Sequence, residues 1–299
     1  MATLSAISPV DGADRAVSPA PRIAAAAVLG AVAVAALYSA WSDIARFAYY
    51  DEEASHILMV PVVLAWLMYV RRRYLQTCRL QSSWLGPVVV VGGWLIAHLG
   101  FNHSIQCFWH AGAVLVLLGC LLSVLGLQAF VAVWPAVLVA AFLVPIPATV
   151  RLPLAWHLQT MTAAATAWLM SAVGFDVARA TNQLIVNGHP VLVAEACNGL
   201  RLVFPLFLVI YVFCFSLPLR AWIRAALILG SPLVAVGCNV LRLVPTVWLF
   251  GHASQETAHN FHDISGWAMI VVAFLILMLF IKVLEFLGIP VMVKPQEAR

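Results

Sequence analysis

Three polar side chains that lipid normally rejects stand in or beside apolar runs in the last third of the chain: Cys197, Arg242 and His262. A thiol, a guanidinium and an imidazole are the parts of a nucleophilic acyl-transfer site: attacking atom, anion stabiliser and proton-transfer group. Cys197 lies in Glu195-Ala196-Cys197-Asn198-Gly199-Leu200-Arg201, at the head of the apolar run Leu202 to Leu217. A thiol at the mouth of a helix meets the positive end of the macrodipole and free N–H groups, which favour the thiolate and can receive an oxyanion. Gly199 permits close backbone approach, and Asn198 adds a small hydrogen-bonding side chain. A membrane cysteine is more often a small apolar filler, which is how Cys120, Cys214 and Cys238 are read within their apolar runs. The polar flanks and the helix mouth set Cys197 apart.

Arg242 sits in Gly237-Cys238-Asn239-Val240-Leu241-Arg242-Leu243-Val244-Pro245. A charge inside a span costs on the order of 3 kcal/mol, and the bland account is snorkelling to headgroups. Eight residues before Phe250, it lies roughly 12 Å below the outer end of its span, which makes snorkelling awkward. The functional account has it hold a thiolate or neutralise a tetrahedral intermediate. Asn239, at i−3 on the same face, is placed to orient it or a substrate. Arg201 is read as interfacial, a contact for a substrate carboxylate or lipid. His262 precedes the last span within His259-Asn260-Phe261-His262-Asp263-Ile264-Ser265-Gly266-Trp267. A neutral imidazole is the expected acid/base partner of a thiol, although periodicity does not choose among His252, His259 and His262. Asp263 is read as a helix N-cap rather than a triad acid.

The elements that must position these groups are membrane helices. At 64% hydrophobic and 9% charged residues, with a mean hydropathy of +1.00, the 299-residue chain lies outside soluble usage. The expected fold is an all-α polytopic membrane protein with about eight transmembrane helices, an interfacial helix and a short extracytoplasmic β-hairpin. Residues 1–22 are read as a disordered cytoplasmic tail and 23–299 as one transmembrane domain; retention of the first apolar run as a span fits better than cleavage of a signal peptide. The spans read as Ile23–Trp41, His56–Val70, Trp84–Gly100, Phe108–Leu125, Gln128–Pro147, Leu200–Pro218, Ala225–Phe250 and Trp267–Leu287. The segment Arg151 to Gly174 intersperses Leu, Trp and Met with small residues and reads as the interfacial helix. Two β-prone runs joined by Asn187-Gly188 supply the hairpin signal.

The net charge of +4 matters through its distribution. With a cytoplasmic N-terminus, Arg71-Arg72-Arg73 with Arg79, Arg220/Arg224 and Lys294/Arg299 all fall inside. The acidic loop Asp51-Glu52-Glu53, the hairpin, Cys197 and the His259/His262 loop then fall outside, with Arg46, Arg151 and Arg179 as scattered outer arginines. No aromatic-basic surface for nucleic acid is present. No CxxC or Cys/His zinc spacing occurs among the six cysteines, so neither a metal nor a cofactor nor a disulfide framework is expected.

Cys197 in Ala196-Cys197-Asn198-Gly199-Leu200-Arg201, Arg242 after Asn239, and His262 before Gly266-Trp267 together resemble the exosortase/archaeosortase family of membrane cysteine transpeptidases. Ser55-His56-Ile57-Leu58-Met59-Val60-Pro61 is similar to the family's early Ser-His motif, and Val144-Pro145-Ile146-Pro147 to its Pro-x-Pro segment. Asn198 departs from the Ser usual after the nucleophile. The resemblance implies catalysis by Cys197, Arg242 and His262, with Asn198, Gly199, Arg201, Asn239 and His56 supporting or binding substrate. It implies secreted protein substrates with a C-terminal transmembrane sorting tail, presented within membrane lipid at the periplasmic face of a prokaryotic inner membrane. Attack by Cys197 on the peptide carbonyl then gives a thioacyl enzyme, released by an amine or water. Two rivals remain from the residues alone: a transporter whose Arg242 binds an anionic substrate, and a thiol oxidoreductase pairing Cys197 with Cys238.

Overall fold

The computed structural model describes residues 20–186, 189–192 and 199–293. Helix dominates because a backbone in hydrocarbon must satisfy its polar groups within its own segment. The order is α1 (Ala20–Ala36), α2 (Tyr38–Tyr50), a 3-10 segment Glu52–Met59, α3 (Val60–Val70), α4 (Arg72–Thr77), α5 (Leu85–Asn102), α6 (Gln106–Ala132) and α7 (Trp134–Val139). A short 3-10 turn, Ala140–Leu143, leads to α8 (Ala148–Ala172), then β1 (Val177–Ala180), β2 (Gln183–Val186) and β3 (His189–Leu192). The chain ends in α9 (Gly199–Ser216), α10 (Ala221–His252) and α11 (Gln255–Phe286).

Among the described residues, five helices are long and apolar enough to cross a membrane, and seven if each of two bent pairs counts as one span. With the shorter apolar helix Val203–Ser216, this agrees with the expected all-α polytopic fold of about eight spans. The boundaries differ in instructive ways. The first expected span breaks at Leu37, where α1 and α2 meet at 81°. Beyond Leu37 the sequence becomes amphipathic: Ala40, Ile44 and Ala48 are buried while Tyr49 and Tyr50 are exposed. The expected end of the fourth span at Leu125 coincides with a kink at Gly126, whose φ of +83° only glycine adopts readily. A side chain there would also strike the Gln81 carbonyl. The last helix starts at Gln255, well before Trp267, so His259 and His262 lie on a helix rather than in a loop. Its cap is Ser254, whose Oγ accepts from the Thr257 N–H at 3.2 Å; Asp263 is not the cap.

The hairpin is present with one strand more than the sequence indicates. β1–β2–β3 form an antiparallel sheet in which Val177 faces Val186 and Val186 faces His189. The expected Asn187-Gly188 turn lies outside the described residues. Leu184 and Val186 pack on Ala163 and Met170 of α8 and on Leu243 and Val247 of α10. The sheet therefore braces α10 one turn from Arg242.

Two packing arrangements hold the bundle. α5 and α6 pair closely through glycines seven apart, Gly86, Gly93 and Gly100 against Gly112 and Gly119. A Cβ at Gly93 would stand 2.9 Å from the Val116 backbone nitrogen, and one at Gly119 2.8 Å from that of Val90. Small residues let such backbones touch in lipid, where no hydrophobic force draws helices together. The larger cluster joins α3, α7, α9, α10 and α11 around Leu206, Leu208, Ile210 and Leu227. At one end of the bundle, arginines close helix C-termini. Arg71 Nη1 donates to Ala132 O of α6 at 3.0 Å, and Arg224 Nε donates to Cys214 O of α9 at 2.8 Å. The chain end adds a short clasp there, with Arg220 N donating to Val291 O and Val293 N to Pro218 O.

Candidate functional site

The opposite end of the bundle gathers the residues with chemical potential. α10 carries Asn239 and Arg242 on one buried face, 1% and 4% exposed respectively, deep among apolar neighbours. Proline within α10 does not break it. The Ile228 carbonyl, which Pro232 cannot serve, accepts from Ser231 Oγ at 3.0 Å. Near Pro245, Thr246 Oγ1 donates to the Arg242 carbonyl at 2.8 Å.

Arg242 is held from two sides. Its Nη2 donates to Asn239 Oδ1 at 3.1 Å, which fixes the amide orientation, because a guanidinium only donates. The Asn239 amide nitrogen consequently points away from Arg242, buried and with no hydrogen-bond partner among the described residues. The other amino group, Nη1, lies against Gly266 of α11: a Cβ on Gly266 would sit 2.8 Å from it. Gly266 is four residues beyond His262, so the two share a face one turn apart. The Arg242 guanidinium is thus brought to the helix that carries His262, one turn along from it.

His262 lies within α11, and its side chain is outside the described residues, as is that of His259. His252 ends α10 exposed, its Nδ1 bonded to the Trp248 carbonyl at 2.9 Å and its ring stacked on Trp248. Cys197 and Asn198 lie outside the described residues. Gly199 is the first residue of α9, in keeping with the expected helix start just after the thiol; Arg201 follows on α9 with its side chain undescribed. Cys238, the thiol of the redox rival, is buried in the main apolar cluster.

A second constellation adjoins the start of α9. His56, 5% exposed, stacks on Phe204 of α9 with ring centroids 4.8 Å apart. Its Nδ1 donates to the Glu53 carbonyl at 3.1 Å. Both line a cavity of about 160 Å³ with Pro145-Ile146-Pro147, Cys107 and Arg151. Arg151 Nη1 bridges Asp51 Oδ2 at 2.8 Å and Glu53 Oε2 at 2.7 Å. Asp51 also caps the 3-10 segment, its Oδ1 accepting from the Glu53 N–H at 2.9 Å. In the sequence Arg151 stands as a scattered arginine and Asp51 to Glu53 as an acidic loop. Opposite charges about a hundred residues apart carry no pairing signal in one sequence. The Pro-x-Pro segment turns the chain by 91° between Trp134–Leu143 and Ala148–Ala172, and so delivers Arg151 to the carboxylates.

A further pair has no signal in the sequence either. His110 Nε2, fully buried on α6, meets Asp43 Oδ2 of α2 at 2.9 Å and ties the bent helix to the bundle.

Residues 41–279 match the family model described as transmembrane exosortase. No curated protein and no solved structure matches the chain.

Proposed function

The chain belongs to the transmembrane exosortase family, and from that premise we propose that it is a membrane cysteine endopeptidase or transpeptidase removing the C-terminal sorting tail of secreted proteins. Family membership over residues 41–279 points to protease or transpeptidase chemistry in a multi-pass membrane protein. The finer assignment is Cys197 as nucleophile, Arg242 as anion stabiliser and His262 as proton donor to the leaving amine. The observation that carries it is the reach of Arg242 to Gly266, one turn from His262, with Asn239 orienting the guanidinium.

In this reading the Cys197 thiolate adds to the scissile carbonyl, and the C–S bond forms as the carbonyl electrons move onto oxygen. Arg242 and the N–H groups at the head of α9 bear that charge. Collapse breaks the C–N bond, His262 supplies the proton to the departing amine, and a thioacyl enzyme remains. An amine or water then takes the acyl group. Asn198, Gly199 and Arg201 shape the approach to the thiol. The arginines gathered at the other end support a periplasmic location for this end in an inner membrane. A substrate anchored by its own helix would diffuse in the plane of the lipid and present its scissile bond at that face.

Co-expression with a secreted reporter bearing a transmembrane sorting tail tests this. Wild type shortens the reporter on an immunoblot, whereas Cys197→Ala and Arg242→Ala leave it full length and Cys238→Ala processes normally. Unchanged processing in Cys197→Ala ends the proposal, and loss in Cys238→Ala alone moves the chemistry to redox.

A further inference from the structure

We infer that His56 is the base for the release half-reaction: its Nε2 takes the proton of the acceptor nucleophile, which reaches the thioacyl group through the cavity His56 lines. This rests on the cysteine mechanism above and adds to it a second imidazole with a separate role.

Four observations support it. The Nδ1 bond to the Glu53 carbonyl must be a donation, since a carbonyl only accepts. In the neutral ring that leaves Nε2 with the lone pair, and no bond to it exists among the described residues. A buried imidazole with one nitrogen spent on orientation and the other unbonded among the described residues, on a residue that lines a cavity, is arranged as a base rather than as filler. The ring is also fixed rigidly: it stacks on Phe204, meets Phe142 edge-on, and sits on a 3-10 segment pinned by the Asp51–Arg151–Glu53 bridges.

The cavity has room for an acceptor. Its volume of about 160 Å³ is room for several waters. That admits water or the amine end of a larger molecule. Pro145 and Pro147, which lack N–H groups, form part of its wall, with Arg151 and Gln106 also lining it. Phe204 lies five residues into α9, the helix that begins two residues after Cys197. The cavity therefore adjoins α9, while Arg242 and His262 belong to α10 and α11.

The step balances simply. The nucleophile R–NH2 or H–OH adds to the thioester carbonyl and gives its proton to His56 Nε2. The new C–N or C–O bond forms, the C–S bond breaks, and Cys197 leaves as thiolate. His56 returns its proton to solvent through the cavity mouth, and His262 regains from solvent the proton it gave to the leaving amine.

The experiment uses full-length enzyme in nanodiscs with a tailed substrate, and follows two quantities. Tail release in the first turnover reports acylation, and mass spectrometry of intact enzyme reports acyl adduct on Cys197. His56→Phe keeps the ring stack and removes the acceptor nitrogen. We expect first-turnover tail release within about threefold of wild type, acyl enzyme accumulating, and steady turnover falling about 10²- to 10³-fold. The fall applies equally to hydrolysis and to transfer onto biotinylated cadaverine. Neutral hydroxylamine, which cleaves thioesters without a base, restores release. His56→Gln behaves the same way, and imidazole partly rescues His56→Ala; these carry the test should His56→Phe fold poorly. Wild-type turnover in His56→Phe or His56→Gln overturns the inference while leaving the cysteine mechanism standing. Equal loss of acylation and release in both, without adduct, also overturns it. Absence of any Cys197 adduct in wild type stopped mid-turnover counts instead against the cysteine mechanism.

Discussion

Gly266 offers a test of Arg242 that leaves both Arg242 and His262 in place. Alanine there puts a methyl group 2.8 Å from Arg242 Nη1, whereas ordinary contact begins at 3.4 Å, so the guanidinium must retreat by about 0.6 Å. The atom that yields is the far end of a flexible side chain, so the fold bears little of the strain. Removing a glycine from a helix interior instead gains about 1 kcal/mol. Catalysis responds in the opposite direction. A displacement of about 1 Å in a positioned group costs about 10²-fold, so 0.6 Å should lower processing about tenfold. Gly266→Val, with two further methyls, should exceed 100-fold. The assay is the initial rate of reporter processing in isolated membranes, normalised to enzyme level, beside a thermal melt in detergent. Gly237→Ala on α10, where an added Cβ meets nothing within 4 Å, is the control and should process normally. The expected signature is a melting temperature at or above wild type with a tenfold slower rate. Processing at the wild-type rate by a well-folded Gly266→Ala would refute the placement of the Arg242 guanidinium at the reacting atoms.

Asn239→Ala removes the acceptor that orients Arg242, a charge-assisted bond of about 1.5–3 kcal/mol, and should lower kcat/KM about 10- to 100-fold; a loss under threefold would leave Asn239 without an orienting role. Gly93→Ala and the adjacent Gly92→Ala form a matched pair for the α5–α6 contact. The first drives a methyl into the Leu115 Cβ and the Val116 backbone nitrogen and should cost about 1–3 kcal/mol, while the second meets nothing within 4 Å and should not lower stability; equal melting temperatures would contradict the close pairing. Sidedness is open to thiol labelling in cells, since Cys107 lines the cavity and Cys78, whose thiol donates to the Gln128 carbonyl, lies in the segment after the Arg71 end. An impermeant reagent should reach Cys107 in intact cells and Cys78 only after permeabilisation, and the reverse pattern would invert the orientation.

The spans are legible in the sequence because hydrocarbon thickness and hydropathy demand them, and the α10 face is legible because Asn239 and Arg242 are one helical turn apart. The hairpin is signalled by Asn187-Gly188, although β1 (Val177–Ala180), with an alanine at every second position, carries no strand signal strong enough to add a third partner. The glycine heptads of α5 and α6 stand in the sequence but escape a span search, which weighs hydropathy, to which glycine contributes little. Gly266 stands one turn from His262, yet nothing in one sequence says that Arg242 comes to rest against it. Pairings across long separations, Arg151 with Asp51 and Glu53 or His110 with Asp43, are set by how helices bend and dock, and composition does not encode that.

The two ends of the bundle differ in kind. At the arginine end, ordinary helix termini are closed by Arg71 and Arg224 bonding to final-turn carbonyls, so the charges that favour one side of the membrane also satisfy the backbone. At the other end the backbone departs from helix: the 3-10 segment Glu52–Met59, the turn through Pro145 and Pro147, and the three-stranded sheet. Non-helical backbone near lipid is tolerated where it is covered by protein or lines a cavity. The first two pieces line the His56 cavity, and the third packs on α8 and α10 beside Arg242. These pieces gather at the end of the bundle that holds His56, Asn239 and Arg242, the distribution that the proposed chemistry would require.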